Sequence, residues 1–160
     1  MRVDGPDGYW VSDNPGLLDV ARIHRWLSRD SYWARGRSYA VMARAIEHSL
    51  SVGLYAADGT QAGYARLVTD RATFAWLCDV FVDPAHRGHG LGSFLVAHTV
   101  EHPDVASIRQ VLMAEPGRTI YRRLGFGDLA RTERWMERAE SPTVSGTGAA
   151  CRPTGDQEMR

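Results

Sequence analysis

The chain has 160 residues, 44% of them hydrophobic, which suffices for one domain with its own core. Nineteen basic and nineteen acidic residues give a formal net charge of zero, so no general attraction to nucleic acid is expected. No stretch stays apolar for the roughly 18 residues a membrane helix needs, and two cysteines, Cys78 and Cys151, suggest neither a disulfide framework nor a metal site.

Along the chain, Met1 to Pro6 lacks the apolar core of a signal peptide, so a cytoplasmic location is expected. Tyr9 to Asp13 reads as a short strand. Asn14-Pro15 signals a helix start, and Leu17, Leu18, Ala21, Ile23, Trp26 and Leu27 follow helical spacing. Ser28 to Arg37 is a polar, aromatic loop. A second helix spans Ser38 to His48, with Val41, Met42, Ala45 and Ile46 as its apolar side. Leu50 to Ala56 and Gly63 to Thr69 read as strands around a turn at Ala57 to Thr60. Thr73 to Val82 is the longest strand, Leu91 to His102 a helix closed by Pro103, and Ile108 to Ala114 a strand. Thr119 to Leu124 is a short helix, and Asp128 to Glu137 holds a last strand or two. Residues 1–140 are read as one domain; the composition from Ser141 to Arg160 predicts a disordered tail. The layer pattern is α+β.

One segment says most. The apolar run Phe74 to Val82 and the turn Asp83-Pro84-Ala85-His86 lead into Arg87-Gly88-His89-Gly90-Leu91-Gly92, which opens the helix from Leu91. A strand entering a glycine-dense turn at a helix start aims several free N–H groups, and the positive end of the helix dipole, at one spot. Phosphates bind there, and glycine lets the backbone come close. The spacing does not suit a dinucleotide fold, since no second strand ending in an acid follows. It does not suit a nucleoside-triphosphate loop either, because the chain has no lysine.

Arg-x-x-Gly-x-Gly after Val82-Asp83-Pro84 instead resembles the pyrophosphate loop of the GNAT superfamily of CoA-dependent N-acetyltransferases. Tyr121-Arg122-Arg123-Leu124-Gly125-Phe126 resembles the Tyr-x-x-Leu-Gly-Phe of that superfamily. Taken singly, the two are also what a Gly-rich turn and a helix C-cap with Gly125 at C′ would give. The resemblance covers residues 9 to 138 and implies a central, mostly antiparallel sheet flanked by helices on both faces. It implies acetyl-CoA as acyl donor, held by Phe81, Val82, Arg87, Gly88, His89, Gly90, Leu91, Gly92 and Ser93. Many members carry an asparagine seven residues before the helix tyrosine; Ala114 stands there here.

Acetyl transfer from a thioester to an amine requires that the amine lose a proton and the leaving thiolate gain one. The resemblance makes Tyr121 the donor to the sulfur; the plainer reading is a core aromatic. Asp79 is the one side chain between Phe74 and Val82 that is charged at neutral pH. A buried carboxylate needs a partner. Positions 75, 77, 79 and 81 are expected to share one face. A turn over Asp70 to Thr73 sets Tyr64 opposite Asp79, with Arg66 diagonal to it. Asp79 is then a general base, a structural partner of Arg66, or neither. In the family, the loop between the first two helices helps cover the acceptor, which makes Tyr32, Trp33 and Arg35 candidates for its pocket. Two aromatics and two arginines in this loop, Arg35 and Arg37, suit an anionic or flat molecule; equally, the aromatics pack the loop onto the core. The function implied is transfer of an acetyl group to a primary amine of a small molecule, by direct attack, without metal, nucleic acid or membrane, in a monomer or homodimer. The alternatives are a non-catalytic acyl-CoA-binding module and a protein or peptide N-acetyltransferase.

Overall fold

A computed structural model describes residues 1–115 and 119–138. It divides into two compact units, residues 1–128 and 129–160; the boundary expected at residue 140 and the expected tail fall outside the described residues. Unit 1 is built on a six-stranded sheet whose spatial order is its chain order: β1 (Arg2–Asp4), β2 (Trp10–Ser12), β3 (Leu50–Tyr55), β4 (Gln61–Thr69), β5 (Phe74–Val82) and β6 (Arg109–Leu112). All neighbours are antiparallel except β5 and β6. Helices α1 (Val20–Arg25) and α2 (Tyr39–Glu47) cover one face; α3 (Leu91–Val100) covers the other, and α4 (Thr119–Arg123) follows β6. The expected α+β class is present, and the expected elements from Trp10 to Arg123 follow in the expected order.

The first helix is shorter than its hydrophobic spacing predicts. Pro15 opens only a 3₁₀ turn, and the cap of α1 is Asp19, whose side chain accepts from Arg22 N. A single π turn, Trp26–Asp30, then carries the chain inward, burying Trp26 and Leu27. Trp26 stacks on Phe81 of the sheet, ring centroids 5.5 Å apart. In α2, capped by Ser38, Met42 and Ile46 are buried while Val41 is half exposed. β1 was not expected; three residues carry too little periodicity to announce a strand.

The expected register between β4 and β5 is corrected in two ways. Thr69 pairs with Ala75, one residue beyond the expected Phe74. The ladder then runs Arg66 with Cys78 but Tyr64 with Phe81, so Ala65 faces both Asp79 and Val80. This is a β-bulge, and Asp79 takes the left-handed backbone at its centre, φ 53°. The extra residue reverses the pleat. Ala75 and Leu77 pack toward α3, and so do Val80 and Val82, whereas Phe81 lies against Trp26 on the opposite face. Positions 75 and 77 therefore do not share a face with 81, and Tyr64 is opposite Phe81 instead of Asp79.

β6 pairs with β5 only from Phe74 to Leu77. Past Leu77 the two parallel strands separate, and among the described residues β5 keeps β4 as its one strand neighbour. In unit 2, the described residues 129–138 form a 3₁₀ turn at Thr132–Arg134 and no strand. The left-handed backbone of Arg131, φ 57°, interrupts the extended run expected from Asp128 to Glu137.

Candidate functional site

Two clefts meet in unit 1. The first, about 680 Å³, follows the end of β5, the glycine loop and the start of α3. The loop takes its shape from Gly88 (φ 92°) and Gly90 (φ 70°), conformations that other residues adopt only under strain. A Cβ added at Gly88, Gly90 or Gly92 would meet nothing within 4 Å, so all three leave open space over the backbone. Gly90 sits at the N-cap of α3 with no side chain capping the helix, and the first backbone bond of that turn runs from Phe94 N to Gly90 O. The N–H groups of Leu91, Gly92 and Ser93 are thus the uncommitted donors of a helix start. Arg87 donates from Nε to Val82 O at 2.9 Å and lies over the Phe81 ring, fastening the loop to the strand end.

Tyr121 lines both clefts. Its helix ends in a Schellman turn: Phe126 N donates to Tyr121 O (3.0 Å) and Gly125 N to Arg122 O (3.1 Å), with Gly125 at φ 87°. The Tyr-x-x-Leu-Gly-Phe segment is therefore a helix cap, and the cap fixes the tyrosine. Its ring stands edge-on to Phe126, centroids 6.3 Å apart.

The second cleft, about 530 Å³, has an ionic floor. Asp79, 4% exposed, accepts at Oδ2 from Arg66 Nε (2.9 Å) and Nη2 (2.7 Å). Arg37 donates from Nη1 to Oδ2 (3.1 Å) and Oδ1 (3.3 Å). Arg66 uses its remaining nitrogen on Ser49 Oγ, 3.0 Å away. Both carboxylate oxygens are engaged by guanidinium groups. The Cys78 thiol beside them is pushed up to about 11, chiefly by burial. Burial likewise raises the Tyr64 phenol, whose oxygen shares a 2.8 Å hydrogen bond with Ser51 Oγ.

Of the expected residues, Phe81, Val82, Arg87, Gly88, Gly90, Leu91, Gly92 and Ser93 line the first cleft, and His89 does not; His89 instead approaches Asp7 at 3.5 Å. Tyr32 and Trp33 line both clefts as an edge-to-face pair, 60% and 40% exposed. Packing of their loop onto the core falls to Ala34, helped by Ser31 Oγ, which donates to Leu27 O and accepts from Ala34 N. Arg35 lines neither cleft; Arg37 lines the second one in its stead. That choice depends on the turn closed by Arg37 N to Ala34 O and Gly36 N to Ser28 O, which no spacing reveals. Glu115, common to both clefts, and Trp76, on the floor of the second, were not expected either. Ala114 lies at the rim of the second cleft.

Residues 49–127 match the family model described as an acetyltransferase (GNAT) domain. A crystal structure of a Xanthomonas campestris pv. campestris protein assigned to the GNAT family is 40% identical, with a TM-score of 0.80 over 85% of this chain and 96% of that one. A curated Gibberella zeae protein assigned as an acetyltransferase is 34% identical over an alignment of 106 positions, covering 55% of this chain. The chain spans 60% of the length of that curated relative. A Brucella melitensis GNAT family acetyltransferase solved in complex with acetyl-CoA shares the fold at 20% identity, TM-score 0.59, over 76% of this chain and 84% of that one.

Proposed function

The chain belongs to the GNAT acetyltransferase family, and on that premise we propose that it moves an acetyl group from acetyl-CoA to a primary amine of a small molecule. The observation that carries this is the meeting of two clefts at Tyr121, one walled by backbone donors and the other floored by arginines. Two substrates must touch at one point for direct transfer, and a side chain common to both clefts is at that point.

The residues present fit acetyl-CoA. The open cradle over Gly88, Gly90 and Gly92 and the uncapped start of α3 suit a pyrophosphate. The edge of β5 beyond Leu77, left by β6, offers backbone groups to the amides of an extended arm. The Brucella neighbour's acetyl-CoA supports the same donor. Bound there, acetyl-CoA supplies a thioester activated for attack by nitrogen. Tyr121 donates its phenolic proton to the departing sulfur. A phenol of pKa about 10 is a weaker acid than a thiol near 8.5, so that transfer has no driving force of its own and the fixed helix cap supplies position instead. Asp79, with both oxygens engaged, serves the ion pair. Proton removal from the amine falls to Glu115, the carboxylate common to both clefts.

The test is release of free CoA from acetyl-CoA across a panel of amines, alongside calorimetric binding of acetyl-CoA. Turnover with an amine supports the reading. Tight binding without turnover identifies a CoA-binding module instead, and absence of both rejects the site.

A further inference from the structure

We propose that the acceptor is an amine carrying an oxyanion group, a carboxylate or phosphate, and that Arg37 is the residue that receives it; this rests on the acetyl-transfer reading above. Three observations converge. Arg66 is spent: its three nitrogens donate to Asp79 and Ser49, and the residue is only 9% exposed. Arg37 is not. Of its guanidinium, Nη1 alone donates to Asp79, while Nε and Nη2 donate to no other described residue, and its side chain is 27% exposed in the second cleft. A guanidinium edge with two unused parallel donors matches a planar oxyanion, which it binds with both nitrogens at once.

The placement of charge on the floor points the same way. Asp79 spends both oxygens on the two arginines, and with Glu115 the lining carries two charges of each sign, so what attracts an anion is local: the edge of Arg37 that Asp79 leaves unused. An oxyanion on the acceptor would be drawn to that edge. Aromatic rings line the cleft with Arg37: Tyr32 and Trp33 from the loop and Trp76, 44% exposed, from β5. They suit a flat or apolar body between the anchored anion and the amine. The volume of about 530 Å³ admits a molecule of amino-acid size with room to spare.

The experiment compares matched pairs on the full chain: aromatic and aliphatic amino acids against their decarboxylated amines, and aminoalkyl phosphates against the corresponding amino alcohols. CoA release is followed for the wild type, Arg37→Gln and Arg37→Lys. The expected result is a kcat/KM at least tenfold higher for the anionic member of the preferred pair. Arg37→Gln should abolish that preference by raising KM for the anionic member alone, with acetyl-CoA affinity intact. Arg37→Lys should restore part of it. The two arms of the panel decide between carboxylate and phosphate. Equal use of anionic and neutral amines overturns the proposal while leaving acetyl transfer standing. So does a preference that survives Arg37→Gln, which would confine Arg37 to completing the ion pair with Asp79. If no amine turns over, calorimetric titration of the same pairs onto the CoA-bound protein decides: binding of the anionic members that Arg37→Gln removes supports the oxyanion site, and its absence rejects it.

Discussion

The wall of the first cleft is made of backbone. Gly88, Gly90 and Gly92 contribute no side chain, and what they offer is N–H groups and empty space at the start of α3. The floor of the second cleft is made of side chains, with Asp79 held between Arg37 and Arg66 at the centre of a bulge. A site made of backbone asks only that the chain turn correctly over six or seven consecutive residues. A site made of paired charges asks three distant segments to arrive in register, and loss of Asp79 leaves Arg66 buried without a counter-charge. Substitution should therefore cost binding at the loop and cost the fold at the buried Asp79–Arg66 pair, with the more exposed Arg37 the exception on the floor.

The largest effect is expected at Asp79. Asp79→Asn keeps the shape, and asparagine tolerates the left-handed backbone there. It leaves Arg66 buried with no charge to answer it, which costs about 3–5 kcal/mol. Denaturant unfolding should show that loss, and Arg66→Met added to Asp79→Asn should recover much of it. If Asp79→Asn unfolds like the wild type and instead loses the acidic limb of its pH–rate profile, Asp79 is the base, and the contrast between loop and floor fails.

Next is Tyr121→Phe. The Schellman turn around it is made by main-chain bonds, and a phenylalanine ring keeps the edge-on contact with Phe126. Stability and acetyl-CoA affinity should hold while kcat falls about 10²-fold, or about 2.7 kcal/mol in the barrier. A kcat equal to wild type, with chemistry limiting, removes Tyr121 from the proton path. Glu115→Gln should remove the acidic limb that Asp79→Asn leaves in place.

At the loop, Gly92→Val separates obstruction from backbone strain. Gly92 is free of the positive φ of Gly88 and Gly90, and its added side chain would enter open space. Acetyl-CoA binding should weaken at least tenfold, about 1.4 kcal/mol, with no change in unfolding. Unchanged affinity in the folded variant takes the pyrophosphate away from this loop.

The same contrast sets what could be read in advance. The loop and the tyrosine helix are local patterns: glycines at fixed intervals, a capped turn, six consecutive residues in Tyr121 to Phe126. Their elements were legible from the chain alone. So was a partnership of Asp79 with Arg66, because a lone carboxylate in an apolar strand demands one. The bulge was not. Period-two counting from Ala75 assumes a pleat without interruption, and Asp79, as a non-glycine residue, gives no warning that it takes a left-handed backbone. Arg37 was equally hidden, since a loop with Arg35 and Arg37 two apart does not say which one turns inward. A helix that starts after Asp19 instead of at Pro15 shows the same limit, because two caps, Asn14 and Asp19, compete within five residues and tertiary packing decides.

The smallest effect tests how a local turn feeds the distant floor. Asp70 closes the β4–β5 connection, accepting from the N–H groups of Ala72, Thr73 and Phe74 and from Thr73 Oγ1. These bonds, the Thr73 hydroxyl foremost, hold its carboxyl well below the usual carboxylate range. Native Asp70 therefore stays ionised at pH values where the unfolded chain has taken up a proton. Its contribution is complete above about pH 5 and is lost as the pH falls through and below 4. Asp70→Ala should lower the melting temperature slightly at pH 7, and the gap to wild type should narrow as the pH is taken down toward 3. Because this turn sets Thr69 against Ala75, and with it the ladder leading to Arg66, cleft occupancy offers a second readout. A purely local role leaves acceptor KM unchanged at pH 7. A raised KM with unchanged acetyl-CoA affinity means that the register of the floor begins at the turn.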